Sequence, residues 1–162
     1  MAKARRKPSA KSKRNDTLRM LIVEARYYQD YSDELLRGAT RVLEGAGAEI
    51  ERITVPGALE IPPAVAMAVD AADAKRKPYD GVVELGCVIQ GETYHFDVVS
   101  NESARGLMDI AIKHRLPLGN GILTVDNESQ AKARLGGPVG HKGEEAALAA
   151  LAMVRLKQSL GK

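Results

Sequence analysis

One twelve-residue stretch, GCVIQGETYHFD (86–97), collects residue types that bind anions and transfer protons. It begins as the end of an apolar run and then passes through Gly91, Thr93 and His95. If a helix begins here, its first backbone N–H groups form a cradle for an anion, and Gly91 permits close approach. The Thr93 hydroxyl adds a hydrogen-bonding group, whereas Glu92 can offer only its N–H because its carboxylate repels an anion. The stretch predicts a phosphate site, although many strand-to-helix loops also contain one glycine and one threonine.

His95 lies at the rim of the same predicted site. A neutral imidazole transfers protons near pH 7, and Asp97 is placed to support one of its tautomers. The alternative interpretation is a partly buried or capping histidine with no chemical role. The other two histidines, His114 and His141, lie elsewhere along the chain, and their spacing does not support a three-histidine metal site. No metal is therefore predicted.

Five further residues could bind a ligand, and each also has a purely structural interpretation. Arg134 follows the fourth predicted strand and can grip a phosphate with two hydrogen bonds, or it is a solvated helix charge. Lys142, in GHKG, is an anion contact or an ordinary loop lysine. Tyr27 can stack on a planar ring or pack in the core, and Glu60 needs hydrogen-bond partners if it is buried. Cys87 is predicted to be a small buried residue, because no neighbouring base would activate its thiol.

The residues around these candidates alternate between strand-like and helix-like patterns. Apolar runs predict strands over 18–25, 49–55, 82–89 and 116–125. Helical spacing predicts helices over 31–47, from Pro63 onward, over about 96–115, over 127–135 and over 144–160. The segment GGPVGHKG is expected to break the chain between the last two helices.

This alternation predicts a parallel sheet covered by helices on both faces, with right-handed crossovers. The expected fold is a three-layer, flavodoxin-like α/β sandwich around a central parallel sheet of four or five strands. Ligands of such folds bind beyond the carboxyl ends of the strands. The loops expected there contain ARYYQD, VPGALEIPP, GCVIQGETYHFD and TVDNE, so the candidate residues should share one edge of the sheet.

Charge divides the chain into a basic tail and a folded domain. Residues 1–14 carry seven lysines and arginines and no acid, and subtracting these from the net charge of +3 leaves −4 for 15–162. We expect residues 1–16 to be a disordered tail and 17–162 to be one domain. A tail contact with nucleic acid is an alternative, which the absence of interleaved aromatics disfavours. Cys87 as the only cysteine, with no secretory signal or membrane-spanning run, predicts a cytoplasmic protein.

Several stretches together resemble the 6,7-dimethyl-8-ribityllumazine synthase family. VPGALEIP, LGCVIQGETYHFD…NE and R…GHKG occur in the order and context typical of that family, over about 19–160. The resemblance implies condensation of 5-amino-6-(D-ribitylamino)uracil with 3,4-dihydroxy-2-butanone 4-phosphate, in riboflavin biosynthesis, without metal or organic cofactor. It also implies a homopentamer, with decamers and sixty-subunit shells as further forms, and riboflavin synthase as a candidate partner.

The resemblance also assigns a role to each matched residue. His95 corresponds to the proton donor, and Tyr27 to the aromatic residue on the pyrimidine ring. The positions around the ring and the ribityl chain are Ala58, Leu59, Glu60, Cys87, Val88, Ile89, Asn120 and Lys142. The phosphate positions are Gly91, Glu92, Thr93 and, from across a subunit boundary, Arg134.

Four positions depart from common family residues: Tyr28, Leu59, Gln90 and Asn120. They leave the implied reaction unchanged but bear on substrate affinity. One alternative is a homologue of low activity that binds ligands or forms shells, which retention of His95 and Arg134 argues against. A turnover assay with both substrates separates these two functions.

Overall fold

The structure is a computed structural model that describes residues 17–161. The predicted basic tail, 1–16, lies outside the described residues, and so does Lys162. Among the described residues, no helix has both the length and the apolar character that a membrane span requires.

Four parallel strands form the central sheet, in the order β2-β1-β3-β4. They are β1 (Arg19–Ala25), β2 (Glu49–Val55), β3 (Gly81–Ile89) and β4 (Leu118–Val125). The helices are α1 (Gln29–Gly45), α2 (Ile61–Ala74), α3 (His95–His114), α4 (Glu128–Ala133) and α5 (Lys142–Ser159). A 3₁₀ helix (Ala58–Glu60) precedes α2, and two short antiparallel strands, β5 (Leu135–Gly137) and β6 (Gly140–His141), precede α5. This order is that of a flavodoxin-like sheet, so the predicted fold class is confirmed with four strands.

The side chains of β1 alternate between two apolar layers. Met20 and Ile22 of β1 pack with α1 and α5, whereas Leu21 and Val23 pack with α2 and α3. Successive side chains of a strand point to opposite faces of the sheet, so near-continuous apolar strands produce two buried layers. Because the four strands are parallel, their carboxyl ends lie at one edge of the sheet, and a loop leads from each.

The start of α1 differs from the sequence prediction. The helix begins at Gln29, two residues before the predicted start at 31, so Ser32 lies inside its first turn. The Ser32 hydroxyl is buried and donates to backbone oxygens of Ala25 at 3.1 Å and Tyr28 at 2.8 Å. Ser32 therefore ties the carboxyl end of β1 to the first turn of α1, which fixes the turn between them.

Candidate active site

A cleft of about 460 Å³ opens at the carboxyl edge of the sheet, between β1, β3 and α3. Most of the predicted site residues line it: Tyr27, Ala58, Leu59, Glu60, Cys87, Val88, Ile89, Gly91, Thr93 and His95. The volume falls within the usual range for small-molecule sites. The fold therefore brings together, at one edge, residues that lie up to about seventy positions apart in the sequence.

Tyr27 is the most exposed aromatic wall of the cleft, with 75% of its surface accessible. Its ring meets that of Tyr28 edge to face, with centroids 4.9 Å apart and planes at 70°. Burial raises the pKa of the Tyr28 hydroxyl, and nearby Cys87 contributes in the same direction. Tyr28 thus supports the ring of Tyr27 from behind, and the free face of Tyr27 remains available to a planar ligand.

An ion-pair cluster holds the turn that carries Tyr27. The carboxylate of Glu24 is fully buried and accepts from Arg26 at 3.0 Å and from the Thr54 hydroxyl at 3.2 Å. Arg26 also pairs with Asp33 in α1, and this hydrogen bond is the largest cause of the raised pKa of the Arg26 guanidinium. Because a buried charge needs such partners, Glu24 fixes the residue that immediately precedes Tyr27.

The 3₁₀ helix forms a second wall of the cleft. Ala58 is buried and anchors the segment, while Leu59 packs partly against the α2 and α3 layer. Glu60 is exposed, so its carboxylate does not require the buried partners that the sequence analysis considered. A Cβ atom on Gly57 would lie 3.0 Å from Oε2 of Glu60, so the absent side chain leaves room for this carboxylate at the rim.

The end of β3 supplies backbone groups to the floor of the cleft. Its pairing with β1 ends at the Glu24–Leu85 pair, whereas its pairing with β4 continues to Ile89. No other strand in residues 17–161 extends the β1 side beyond Leu85, so the backbone N–H and C=O groups of Cys87 and Ile89, which point to that side, lack a ladder partner. Those of Val88 point to β4, as the Gln90 N–H does in donating to the Val125 oxygen. The groups of Cys87 and Ile89 can form hydrogen bonds with the edge of a heterocycle.

Cys87 contributes backbone and bulk to the cleft and is a poor nucleophile. Its side chain is buried, and this burial raises the pKa of the thiol to about 11. The thiolate is the reactive form of cysteine, and it is scarce at neutral pH for such a group. The structure therefore agrees with the sequence interpretation of Cys87 as a small buried residue.

The loop from β3 into α3 forms the polar end of the cleft. Tyr94 occupies the N-cap position of α3 without a side-chain capping bond, and His95 is the first helical residue. The His95 N–H lies 3.4 Å from the Thr93 hydroxyl oxygen. Gly91, Thr93 and His95 are exposed, and the positive end of a 20-residue helix dipole points toward them. Glu92 is also exposed and does not line the cleft.

Besides Glu92, three predicted site residues do not reach this cleft within one chain. Arg134 and Lys142 line a separate cavity of about 170 Å³ with Thr124 and Glu145. Neither cation forms an ion pair with a carboxylate of residues 17–161, and one Arg134 guanidinium nitrogen donates to the Gln130 backbone oxygen at 3.0 Å. Asn120 lies in the middle of β4, opposite Glu84, and is exposed on an edge strand.

The cleft also contains residues that the sequence analysis did not assign to it: Tyr28, Pro56, Gly57, Phe96 and Val99. All lie in or beside the stretches already singled out, so their closeness in sequence to the predicted site residues could have identified them. Val99 lies four residues after His95, which places both on one face of α3. The described residues contain no cluster of three or more His, Cys, Asp or Glu side chains that could hold a metal ion.

Comparison with known proteins gives one consistent result. A sequence model of the family described as 6,7-dimethyl-8-ribityllumazine synthase matches residues 17–158. A protein of that name from Azorhizobium caulinodans is 61% identical over 142 residues, which cover 86% of each chain. One named 6,7-dimethyl-8-ribityllumazine synthase 1 from Rhodopseudomonas palustris is 54% identical over 162 residues, covering 100% of this chain and 99% of its own. The chain therefore belongs to the 6,7-dimethyl-8-ribityllumazine synthase family.

Proposed function

We propose that the cleft condenses 5-amino-6-(D-ribitylamino)uracil with 3,4-dihydroxy-2-butanone 4-phosphate to give 6,7-dimethyl-8-(D-ribityl)lumazine, phosphate and water. Family membership and the names of the relatives support this reaction. The observation that carries the proposal is the composition of the cleft. It combines an exposed aromatic face, an unpaired strand edge and a helix N-terminus that carries His95.

The pyrimidine substrate fits the apolar end of the cleft. Its planar ring would stack on Tyr27, and its polar edge would pair with backbone groups of Cys87 and Ile89, with Val88 lining the cleft between them. The exposed carboxylate of Glu60 would accept hydrogen bonds from ribityl hydroxyls, with Ala58 and Leu59 alongside. These contacts orient the substrate amine toward the polar end.

The phosphate substrate fits the loop between β3 and α3. Its phosphate would sit near the backbone of Gly91 and Glu92 and the hydroxyl of Thr93, at the positive end of the α3 dipole. The substrate amine attacks the ketone carbon, and one water leaves to form a Schiff base. Phosphate is then eliminated, the ribitylamino nitrogen attacks the carbonyl carbon that this elimination leaves, and loss of a second water closes the ring. Each step moves protons, and exposed His95 beside the phosphate can accept and return them.

The reaction needs no redox partner, since the condensation, elimination and ring closure balance with loss of two waters and one phosphate alone. Much of the rate would come from holding two reactants together, because an amine and a ketone condense readily once they are aligned. We propose no metal and no organic cofactor. We place the reaction in the cytoplasm, where the single thiol, Cys87, would remain reduced.

A homopentamer would complete the site with residues from a neighbouring chain. Asn120, Arg134 and Lys142 lie away from the cleft of their own chain, and all three are at least partly accessible. Exposed apolar side chains on α3 and α5 provide surface for contact between copies: Met108, Ile112, Leu148, Met153 and Leu156. We propose that one subunit supplies Arg134 to the phosphate of its neighbour, with riboflavin synthase as a further partner of the assembly.

Two measurements test the proposed function. Purified chain is incubated with both substrates, and the lumazine product is separated by chromatography and quantified against an enzyme-free control. Product formation well above the control supports the enzyme, whereas tight binding of the pyrimidine without turnover would favour the low-activity, ligand-binding alternative. Light scattering then measures the assembly, and an active monomer would contradict the shared site.

A further inference from the structure

His141 lies where α1, the β5–β6 hairpin and α5 meet, and it is one of the few buried polar residues outside the cleft. We infer that His141 is a positioning residue that holds Arg134, together with its hairpin neighbour Lys142, in the geometry with which Arg134 binds the substrate phosphate. The inference rests on the proposed function, because it assumes that Arg134 faces a phosphate group.

The two ring nitrogens of His141 have different partners. Nδ1 accepts a hydrogen bond from the Glu144 backbone N–H at 3.3 Å, which caps the first turn of α5. A nitrogen that accepts cannot carry the proton of a neutral imidazole, so the proton belongs on Nε2. Nε2 then donates to Oε1 of Glu34 in α1, also at 3.3 Å. The ring thus links the start of α5 to the middle of α1.

The His141 ring is packed tightly against the backbone of α1. A Cβ atom on Gly38 would overlap Cε1 of His141 and lie 2.8 Å from its Nε2, so the ring rests directly on the α1 backbone. A Cβ atom on Gly143 would likewise overlap the Leu35 carbonyl oxygen, so α1 and α5 are in backbone contact beside the ring. Only 9% of His141 is accessible.

The hairpin transmits this fixed position to both cations. His141 pairs with Leu135 across the β5–β6 ladder, immediately after Arg134. The Lys142 N–H donates to the Arg134 backbone oxygen at 2.8 Å, so the two cations are connected through one backbone hydrogen bond. Both line the same cavity. A displacement of His141 would therefore move Arg134 and Lys142 together, and misplacement by about 1 Å can cost up to a hundredfold in rate.

The test compares three variants of the full-length enzyme under steady-state conditions, with each substrate varied in turn. We expect His141→Ala to raise the KM for the butanone phosphate by about tenfold, with the KM for the pyrimidine within about twofold. Inhibition by inorganic phosphate should weaken by a similar factor. Arg134→Ala is the direct reference, for which we expect a tenfold to hundredfold rise, from the loss of a charge-assisted hydrogen bond to the phosphate.

Arg41→Gln is the matched control for His141→Ala. Arg41 pairs with the Glu144 side chain at the same helix start, so its loss disturbs the first turn of α5 without touching the His141 ring. We expect this control to leave both KM values unchanged. His141→Asn separates capping from positioning, since asparagine can cap α5 but is too short to reach Glu34. If His141→Asn fully restores phosphate affinity, the residue acts only as a cap and the inference is wrong.

The remaining outcomes distinguish the inference from the proposed function. If the KM for the butanone phosphate is normal in His141→Ala but raised in Arg134→Ala, the inference is wrong and the phosphate assignment of Arg134 stands. If the KM for the butanone phosphate is normal in both variants, the assignment of Arg134 to the substrate phosphate is itself wrong. If His141→Ala does not fold, Glu34→Ala releases Nε2 while leaving the cap and the packing intact. We then expect about a threefold rise in the same KM, and an unchanged KM would reject the inference.

Discussion

The β4–α5 interface and the β3–α3 loop both contain a glycine, but the first glycine is tightly packed and the second is surrounded by open space. A Cβ atom on Gly119 of β4 would overlap the Ala146 carbonyl oxygen of α5 and lie 2.8 Å from its carbonyl carbon. A Cβ atom on Gly91 would have no heavy atom within 4 Å. The first glycine is required by packing within the chain, whereas no contact among residues 17–161 requires the second. Space that the fold leaves open beside a helix N-terminus is space that a ligand can use.

The same contrast extends to the neighbouring side chains. Ala146, Ala147 and Ala150 of α5 are buried against the sheet, so this layer contributes stability. Thr93 and His95 of the loop are exposed and make few contacts. Changes in the packed layer should therefore alter the free energy of unfolding, and changes in the loop should alter kinetics without altering stability.

The largest effect is expected for Gly119→Ala. The added methyl group meets backbone atoms of α5, which cannot rotate away as a side chain can, so the helix must move. Overpacking of this kind costs about 1–3 kcal/mol and occasionally more, and we expect a loss of about 3 kcal/mol in urea unfolding. Gly86→Ala on β3 is the control, because its Cβ would sit 3.6–3.7 Å from its neighbours and should be tolerated. Equal losses in both variants would contradict this account of the interface.

His95→Ala should affect only the reaction. General acid–base groups typically contribute 10²–10⁴-fold, and we expect kcat to fall by about a hundredfold or less, because water can replace part of the proton transfer. Stability should be unchanged since His95 is exposed, and the KM for the pyrimidine should also be retained. Complete loss of turnover would show that proton transfer matters more than alignment of the two substrates. A fall in the melting temperature would show that His95 also contributes to the stability of the fold.

The packed region contains one polar group that costs stability. Glu84 of β3 is fully buried, and neither carboxylate oxygen has a hydrogen-bond partner among residues 17–161. Burial raises the pKa of this carboxyl well above its ordinary value of 4.5. The native state therefore keeps a proton that the unfolded chain releases, so stability falls as the pH rises from the unfolded pKa toward the native one.

Replacing Glu84 with leucine should relieve this cost. We expect the free energy of unfolding to rise by about 1–3 kcal/mol at pH 7, with a smaller gain at pH values well below 4.5, where the carboxyl is neutral in both states. Glu24→Leu is the matched control, since Glu24 is equally buried but accepts bonds from Arg26 and Thr54. Loss of Glu24 should destabilise the protein. A destabilised Glu84→Leu variant would mean that the carboxyl has a partner in the assembled protein.

Local patterns in the sequence were sufficient to predict the main helices and strands, but not which strands pair with each other. The apolar run VVELGCVI predicts a buried strand, because such runs are typical of parallel sheets covered on both faces. The same run gives no information on which strand pairs with which, since β-ladder bonds use backbone groups common to all residues. The β5–β6 hairpin was missed for a related reason: strands of three and two residues are too short to show alternation.

The candidate site was predictable wherever its residues lie in one contiguous stretch. VPGALEIP and GCVIQGETYHFD contribute most of the cleft. His141 was missed as a positioning residue because its partner Glu34 is 107 residues away. No local pattern reports such a contact. The roles of all the predicted site residues stay predictions, and those of Asn120, Arg134 and Lys142 also depend on a second copy.

The smallest predicted effect is that of Gly91→Ala, which tests the open region directly. The methyl group has room in the single chain, so the free energy of unfolding should stay within about 0.5 kcal/mol of the parent value. A bound phosphate would lose that room, and we expect the KM for the butanone phosphate to rise by about three- to tenfold, which corresponds to roughly 1 kcal/mol. Gly45→Ala is the matched control, since its Cβ also has no neighbour within 4 Å but lies at the far end of α1. If both variants bind phosphate substrate like the parent enzyme, the loop is open for a reason other than close approach of the anion.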